Sequence, residues 1–186
     1  MTGTRTYHHG NLRQALLAAA LVAIEEVGPA SLSLRDLARR AGVSHAAPAH
    51  HFGDKAGLLT ALAAQGFDLL AQALAEARDD LLDAGVAYVD FAVGHRAHFE
   101  VMFRPELQRT DDAELVTAQG RARAALRAGV AASLASGEPA DSDRNSLAAW
   151  SIAHGFATLW LAGALPDRVG DDPREAARAV LRRLFA

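Results

Sequence analysis

The chain has 186 residues, 43 of them alanine and 25 leucine, against 11 valine, 2 isoleucine and 6% aromatic residues. That alphabet builds helices, which excludes an all-β sandwich or barrel and leaves no Val/Ile run for the buried strands of a doubly wound α/β fold. Cysteine is absent, which removes disulfides, thiolate zinc sites, iron–sulfur clusters and a Cys nucleophile, and the formal net charge of −3 is unevenly spread.

Residues 1–55 hold six Lys or Arg against four Asp or Glu, and five of the eight histidines; the rest carries 13 basic against 18 acidic residues. A mildly basic, His-rich head therefore precedes an acidic body, and the head is the part suited to a polyanion. Residues 1–11 are polar and lack the apolar core of a signal peptide. The longest uncharged stretch, 145–166, is long enough to cross a bilayer but is interrupted by Ser146, Ser151, His154 and Thr158. It reads as a buried or interface helix, and a cytoplasmic protein is expected.

In chain order, Leu12, Leu16, Ala20, Ala23, Ile24 and Val27 recur at helical spacing behind Asn11 as N-cap, and Gly28-Pro29 stops that helix. Ser33 and Asp36 predict a capping box for a short helix with Leu34, Leu37, Ala38 and Ala41 inward. Gly42 suits the left-handed residue past its end, and Ser44 reads as the N-cap of a second short helix reaching about Phe52. Within it Pro48 removes one backbone donor from the first turn. Asp54 caps a long helix from Lys55 to about Asp79. Further helices are expected at about 80–93, 95–103, 113–135, 144–164 and 174–184, with loops at 136–143 and 167–173.

The two short helices and their Ala41-Gly42-Val43-Ser44 joint form a helix-turn-helix pattern, whose second helix fits a DNA major groove. Three stretches carry a wider resemblance: Tyr7-His8-His9-Gly10-Asn11-Leu12; Leu32-Ser33-Leu34-Arg35-Asp36-Leu37-Ala38-Arg39-Arg40-Ala41-Gly42-Val43-Ser44; and His51-Phe52-Gly53-Asp54-Lys55-Ala56-Gly57-Leu58-Leu59. Together they resemble the DNA-binding head of TetR-family transcriptional repressors. Residues 87–92, 98–103 and 149–157 are similar to a TetR-family C-terminal domain of the WHG type. The resemblance implies an all-α fold of about nine helices: a DNA-binding head at 1–54, a connecting long helix at 55–80, and a ligand-binding and dimerisation body at 81–186. It also implies a homodimer on pseudo-palindromic operator DNA, released by a small-molecule effector. The sequence departs from the family at Ala49, where relatives place a Tyr that reaches a phosphate.

For DNA contact the residues singled out are Ser33 and Arg35 at the first helix start, Ser44, His45 and Ala46 at the second, and His50, His51, Lys55 and Arg5 of the N-terminal arm. Polar readout falls to Ser44, His45 and His50, while Ala46 touches at most a thymine methyl. Lys55, the one lysine of the chain, has a charge suited to a phosphate at a helix N-terminus. Phe99, Met102, Phe103 and Trp150 are the expected wall of an apolar effector cavity, with His154, Arg96 and His98 as polar contacts. Ala157, Trp160, Leu161, Val180 and Leu184 are the expected dimer contacts.

Two other readings stay open. His95, His98 and His154 would serve a metal- or haem-responsive regulator, although no cofactor and no metal is expected. A helical dimer with a degenerate head would not bind DNA at all. No nucleophile elbow, phosphate-binding Gly-rich loop or zinc-protease helix occurs, so no catalytic residue is expected and the chain does not read as an enzyme.

Overall fold

The computed structural model describes residues 8–77, 81–133 and 139–185. Among them are nine α-helices and no strand: α1 (His8–Ser31), α2 (Leu34–Arg40), α3 (Ala47–Phe52), α4 (Lys55–Glu76), α5 (Leu81–Gly94), α6 (Arg96–Met102), α7 (Ala113–Ser133), α8 (Pro139–Leu161) and α9 (Pro173–Phe185). Short 3-10 turns fill two of the connections, at Pro105–Leu107 and Asp167–Val169.

The chain forms two compact units. The first contains the described residues up to Gln65 together with Ala97–Leu115, and the second contains Gly66–Arg96 with the described residues from Val116 onward. This differs from three consecutive segments split at 54 and 80. Most of α6, the turn after it and the start of α7 belong with the head.

In the first unit α1 packs on α2 and α2 on α3. Leu16, Leu17, Ala20, Ala23, Ile24, Leu37, Ala38, Phe52, Leu58, Leu59 and Leu62 are buried. Gly28 takes φ 74 ahead of Pro29 and breaks α1 where the sequence places its stop. The helix itself begins at His8, so Asn11 lies inside it rather than capping it.

In the second unit α5 packs on both α8 and α9. Eight of its residues are buried, as a central helix requires, while Asp83 and Asp90 carry its polar edge. Leu81, Val130 and Ala149 tie α5, α7 and α8 together. α9 is amphipathic. Ala176, Ala177 and Leu181 are buried while Arg182 and Arg183 are exposed. Asp172 caps it, its Oδ1 accepting from the backbone N–H of Arg174 and Glu175.

By length and composition alone, Leu12–Ser31 and Lys55–Glu76 would suffice to cross a membrane. Both instead contribute buried leucines to these packed units.

Three local expectations are corrected. Ser33 sits at the N-cap of α2 but makes no side-chain cap bond. Its capping-box partner Asp36 accepts instead from Arg39 and Arg40, one turn on. Ser44 is not the cap of α3, which begins at Ala47 with Ala46 as N-cap. The Ala47 N–H goes to the Ser44 carbonyl at 3.0 Å, so Pro48 falls at the helix start, where its missing donor breaks no helical bond. α8 starts at Pro139, inside the stretch expected as loop, and proline again suits that start.

Candidate DNA-binding and effector sites

Gly42 has φ 66 and closes α2 with two backbone bonds, Gly42 N–H to the Arg39 carbonyl and Val43 N–H to the Ala38 carbonyl. This pair is a Schellman motif, so the turn of the helix-turn-helix is the one the glycine predicts. Ala38 is fully buried, Phe52 and Pro48 are buried and Val43 is half-buried. Over that floor Ser33, Arg35, Ser44, His45, Ala46 and His50 are all exposed. Ser44, His45 and Ala46 occupy the turn that enters α3 rather than its first helical turn.

His51 is half-buried, its ring 5.5 Å from that of His50 and 6.2 Å from that of Phe52. Arg13 joins this cluster through Phe52, its guanidinium 5.4 Å from the ring centre. Arg39 is exposed too, although Asp36 holds it. Arg5 and the N-terminal arm lie outside the described residues.

The start of α4 is held by several bonds at once. The Asp54 carboxylate accepts from the Gly57 N–H at 2.9 Å, the cap that its position predicts. Its other oxygen meets Nη2 of Arg109 at 3.0 Å. These two partners hold the Asp54 carboxyl below its ordinary value, the backbone bond from Gly57 contributing most. The Arg109 N–H donates to Thr60 Oγ1 at 2.9 Å, and the Thr60 hydroxyl donates to the Ala56 carbonyl at 2.7 Å. The Lys55 amine donates to the Ala30 carbonyl. Gly57 is obligatory: a Cβ at this residue would lie 2.0 Å from the Phe52 carbonyl oxygen.

The predicted effector residues divide between the two units. In the first, His98, Phe99 and Met102 are buried and Phe103 is half-buried. Phe99 and Phe103 meet edge to face at 5.3 Å, and His98 Nε2 lies 3.2 Å from Gln65 Oε1. In the second, Arg96 is exposed, whereas Trp150 and His154 join a cluster around Tyr88. The Trp150 indole N–H donates to Tyr88 Oη at 3.2 Å, and Tyr88 Oη lies 2.9 Å from His154 Nδ1. An indole can only donate, so Tyr88 Oη accepts from Trp150, while the direction of the Tyr88–His154 bond follows the imidazole tautomer. Burial pushes the Tyr88 phenol well up and the His154 imidazole down from its ordinary 6.5. Periodicity marks Tyr88 only as an apolar position of its helix; its hydroxyl is the hub of this cluster.

The second unit also carries a groove of about 620 Å³. Leu69, Val86 and Phe91 contribute apolar wall, and the pairs Arg174–Asp90 and Arg178–Asp83 contribute polar wall. None of the residues expected in the effector wall lines it. The three histidines His95, His98 and His154 do not form a metal-binding group. His98 and His154 are each hydrogen-bonded, and among the described residues no three His, Cys, Asp or Glu stand together to hold a metal ion.

Among the expected dimer contacts, Ala157 is a correction: it is fully buried within its own protomer. Trp160 is half-buried and stacked on Phe156, Leu161 is half-buried, and Val180 is exposed. The side chain of Leu184 lies outside the described part of the structure. The exposed surface of α8 carries Leu147 (58% exposed) and Leu159 (47% exposed), beside small residues such as Ala148 and Ser151.

Known proteins agree with this anatomy. Residues 16–62 match the family described as bacterial regulatory proteins of the tetR family. Residues 81–184 match the tetracyclin repressor-like C-terminal domain. The HTH-type transcriptional regulator BetI of Stenotrophomonas maltophilia is 39% identical over 71 residues, which is 38% of this chain and 36% of that one. The match thus spans about a third of that curated relative. A Rhodococcus sp. RHA1 protein of unknown function is 36% identical across 98% of this chain and 97% of its own, with a TM-score of 0.77. The multidrug binding protein EbrR, solved with imidazole, shares the fold at 23% identity, with a TM-score of 0.61 over 100% of this chain and 98% of its own. A helix-turn-helix head and a helical body, each matched by its own family description, make this chain a member of the TetR family of transcriptional regulators.

Proposed function

We propose that the protein is a ligand-responsive repressor that binds a pseudo-palindromic operator as a homodimer and leaves it when a small apolar or aromatic molecule binds the body. The observation that carries the DNA half of this reading is the exposed row Ser33, Arg35, Ser44, His45 and His50 over a packed helix-turn-helix floor. Ser44 and His45 supply base readout, and Lys55 and the Arg35 guanidinium supply phosphate contact. His50 stands beside Ala49, where the family's phosphate-reaching Tyr is missing.

The effector half is supported by the aromatic cluster of Tyr88, Trp150 and His154, which combines large apolar faces with polar edges. EbrR, a multidrug binding protein complexed with imidazole, points to the same class of guest. The dimer half is supported by the exposed apolar residues of α8 and α9. A chain of this family works in the cytoplasm, where its DNA is, and no catalytic role is assigned to it.

The test is selection of bound duplexes from a random DNA pool, followed by anisotropy on the winner across a salt series. One inverted repeat bound at physiological salt supports the repressor reading. Binding that is blind to sequence and lost with modest salt overturns it.

A further inference from the structure

The resemblance and the helix-turn-helix confine DNA contact to residues before about 60. The Arg109 network does not respect that boundary. Arg109 follows the turn after α6, yet its side chain and backbone are both fixed to the first turns of α4. The guanidinium meets Asp54 at 3.0 Å, and the N–H meets Thr60 Oγ1 at 2.9 Å. The same guanidinium sits where a Cβ at Gly53 or Gly57 would touch it, at 3.3 and 3.2 Å. Asp54 therefore places a carboxylate beside Lys55, on the edge meant to face phosphates, and an arginine from far along the chain answers it.

We propose that Arg109 is a positioning residue of the DNA-binding surface: by pairing with Asp54 it cancels the carboxylate that adjoins Lys55 in the chain and holds the α4 start in its DNA-facing place. This rests on the DNA-binding reading above. Two functions in Asp54 conflict. The helix cap needs an oxygen that accepts from Gly57, which both Asp and Asn supply. Phosphate contact disfavours the negative charge, which only Asp carries. Arg109 resolves the conflict while leaving the cap intact.

The experiment is a double-mutant cycle of R109A and D54N in the full-length chain. Binding is read by anisotropy with the selected duplex and an unrelated duplex over a salt series. R109A is expected to weaken binding to both duplexes on the order of three- to ten-fold at physiological salt, since one repelling charge acts on any phosphate backbone. D54N alone is expected to bind at least as well as wild type. R109A/D54N is expected to return to within about two-fold of wild type, because removing both members of the pair restores the local charge balance of wild type.

R109A binding like wild type overturns the proposal, and so does a double variant as weak as R109A. The latter would make Arg109 a direct phosphate contact or a scaffold residue. A melting temperature common to all four chains excludes a loss through unfolding. Wild type that binds neither duplex overturns the DNA-binding reading itself, which separates that failure from the failure of Arg109.

Discussion

A methyl group at position 57 has no room. The Phe52 carbonyl would stand 2.0 Å from it, and that carbonyl belongs to the last turn of α3. Relief requires α3 and the start of α4 to separate, which moves the residues offered to DNA. Gly57→Ala is therefore expected to cost about 1–3 kcal/mol, as overpacking does. Thermal unfolding would register the loss, and operator affinity should drop with it. Gly120 is the control. It lies in α7 with nothing within 4 Å of its imagined Cβ, so Gly120→Ala should stabilise by about 0.5–1 kcal/mol. Equal melting temperatures for the two variants would refute the steric account.

Residues of this kind are only partly legible in a sequence. Asp54 is legible as a cap because its acceptor works on the N–H three residues on. Ser33 is not, because Asp36 is drawn away by Arg39 and Arg40 at one helical turn. Arg109 leaves no local signal. Its partners Asp54 and Thr60 lie about fifty residues back, and nothing in the spacing links them.

At the scale of elements, the bond between α5 and α8 is the part that should respond to pH. His154 Nδ1 lies 2.9 Å from Tyr88 Oη inside a packing whose burial favours the neutral imidazole. Burial holds its folded pKa below the ordinary 6.5. The unfolded chain then binds more protons as pH falls below about 6.5, so stability contributed by the neutral imidazole is complete above that value and is lost progressively below it. His154→Gln keeps an acceptor for Tyr88 without the titration. Wild type should lose more stability than this variant between about pH 7 and 5.5 in urea unfolding. Parallel curves would show that His154 does not titrate in this packing. Asp36, Asp54 and Asp90, held below their ordinary value by arginine and backbone partners, give up their contribution only at more acid pH, so the two effects separate.

The existence of each helix is legible along the chain, because alanine and leucine at helical spacing admit little else. Boundaries are less legible at prolines. Local pattern has Pro48 remove one first-turn bond and puts Pro139 in a loop, yet each stands at a helix start, where a missing N–H costs nothing. The end of α8 also falls earlier than the pattern suggests. Gly163 at φ 63 closes it with Ala164 N–H on the Leu159 carbonyl, a stop that the run of small residues hides.

For the molecule as a whole, the proposed dimer is decided on the exposed side of α8. Leu147 and Leu159, each about half covered already, gain about 0.7–1.7 kcal/mol each if a partner covers the rest. Small neighbours let two such helices approach closely. Leu159→Asp should give monomers in sedimentation analysis with the helical circular dichroism of wild type. A dimer that survives the charge would put the interface on another face. Trp160, singled out from sequence, is a poorer probe because it stacks on Phe156 at 6.1 Å and a charge there would damage the protomer as well. The apolar surplus of α8 is visible in the sequence. Which apolar residues turn outward is not, since Ala157 and Leu159 differ by only two positions and one is buried while the other is exposed.

The segment Ala97–Leu115, grouped with the head, bears on the order of synthesis. The amino-terminal unit cannot close when its first 65 residues leave the ribosome. It must wait, with Asp54 and Thr60 lacking Arg109 and Gln65 lacking His98, until the intervening Gly66–Arg96 and then Ala97–Leu115 have emerged. Contacts that span such a detour are slow to form and leave apolar surface open to chaperones meanwhile. A chimaera that exchanges heads between relatives at residue 54 would inherit the same gap permanently, whereas one that also carries residues 97–115 would not.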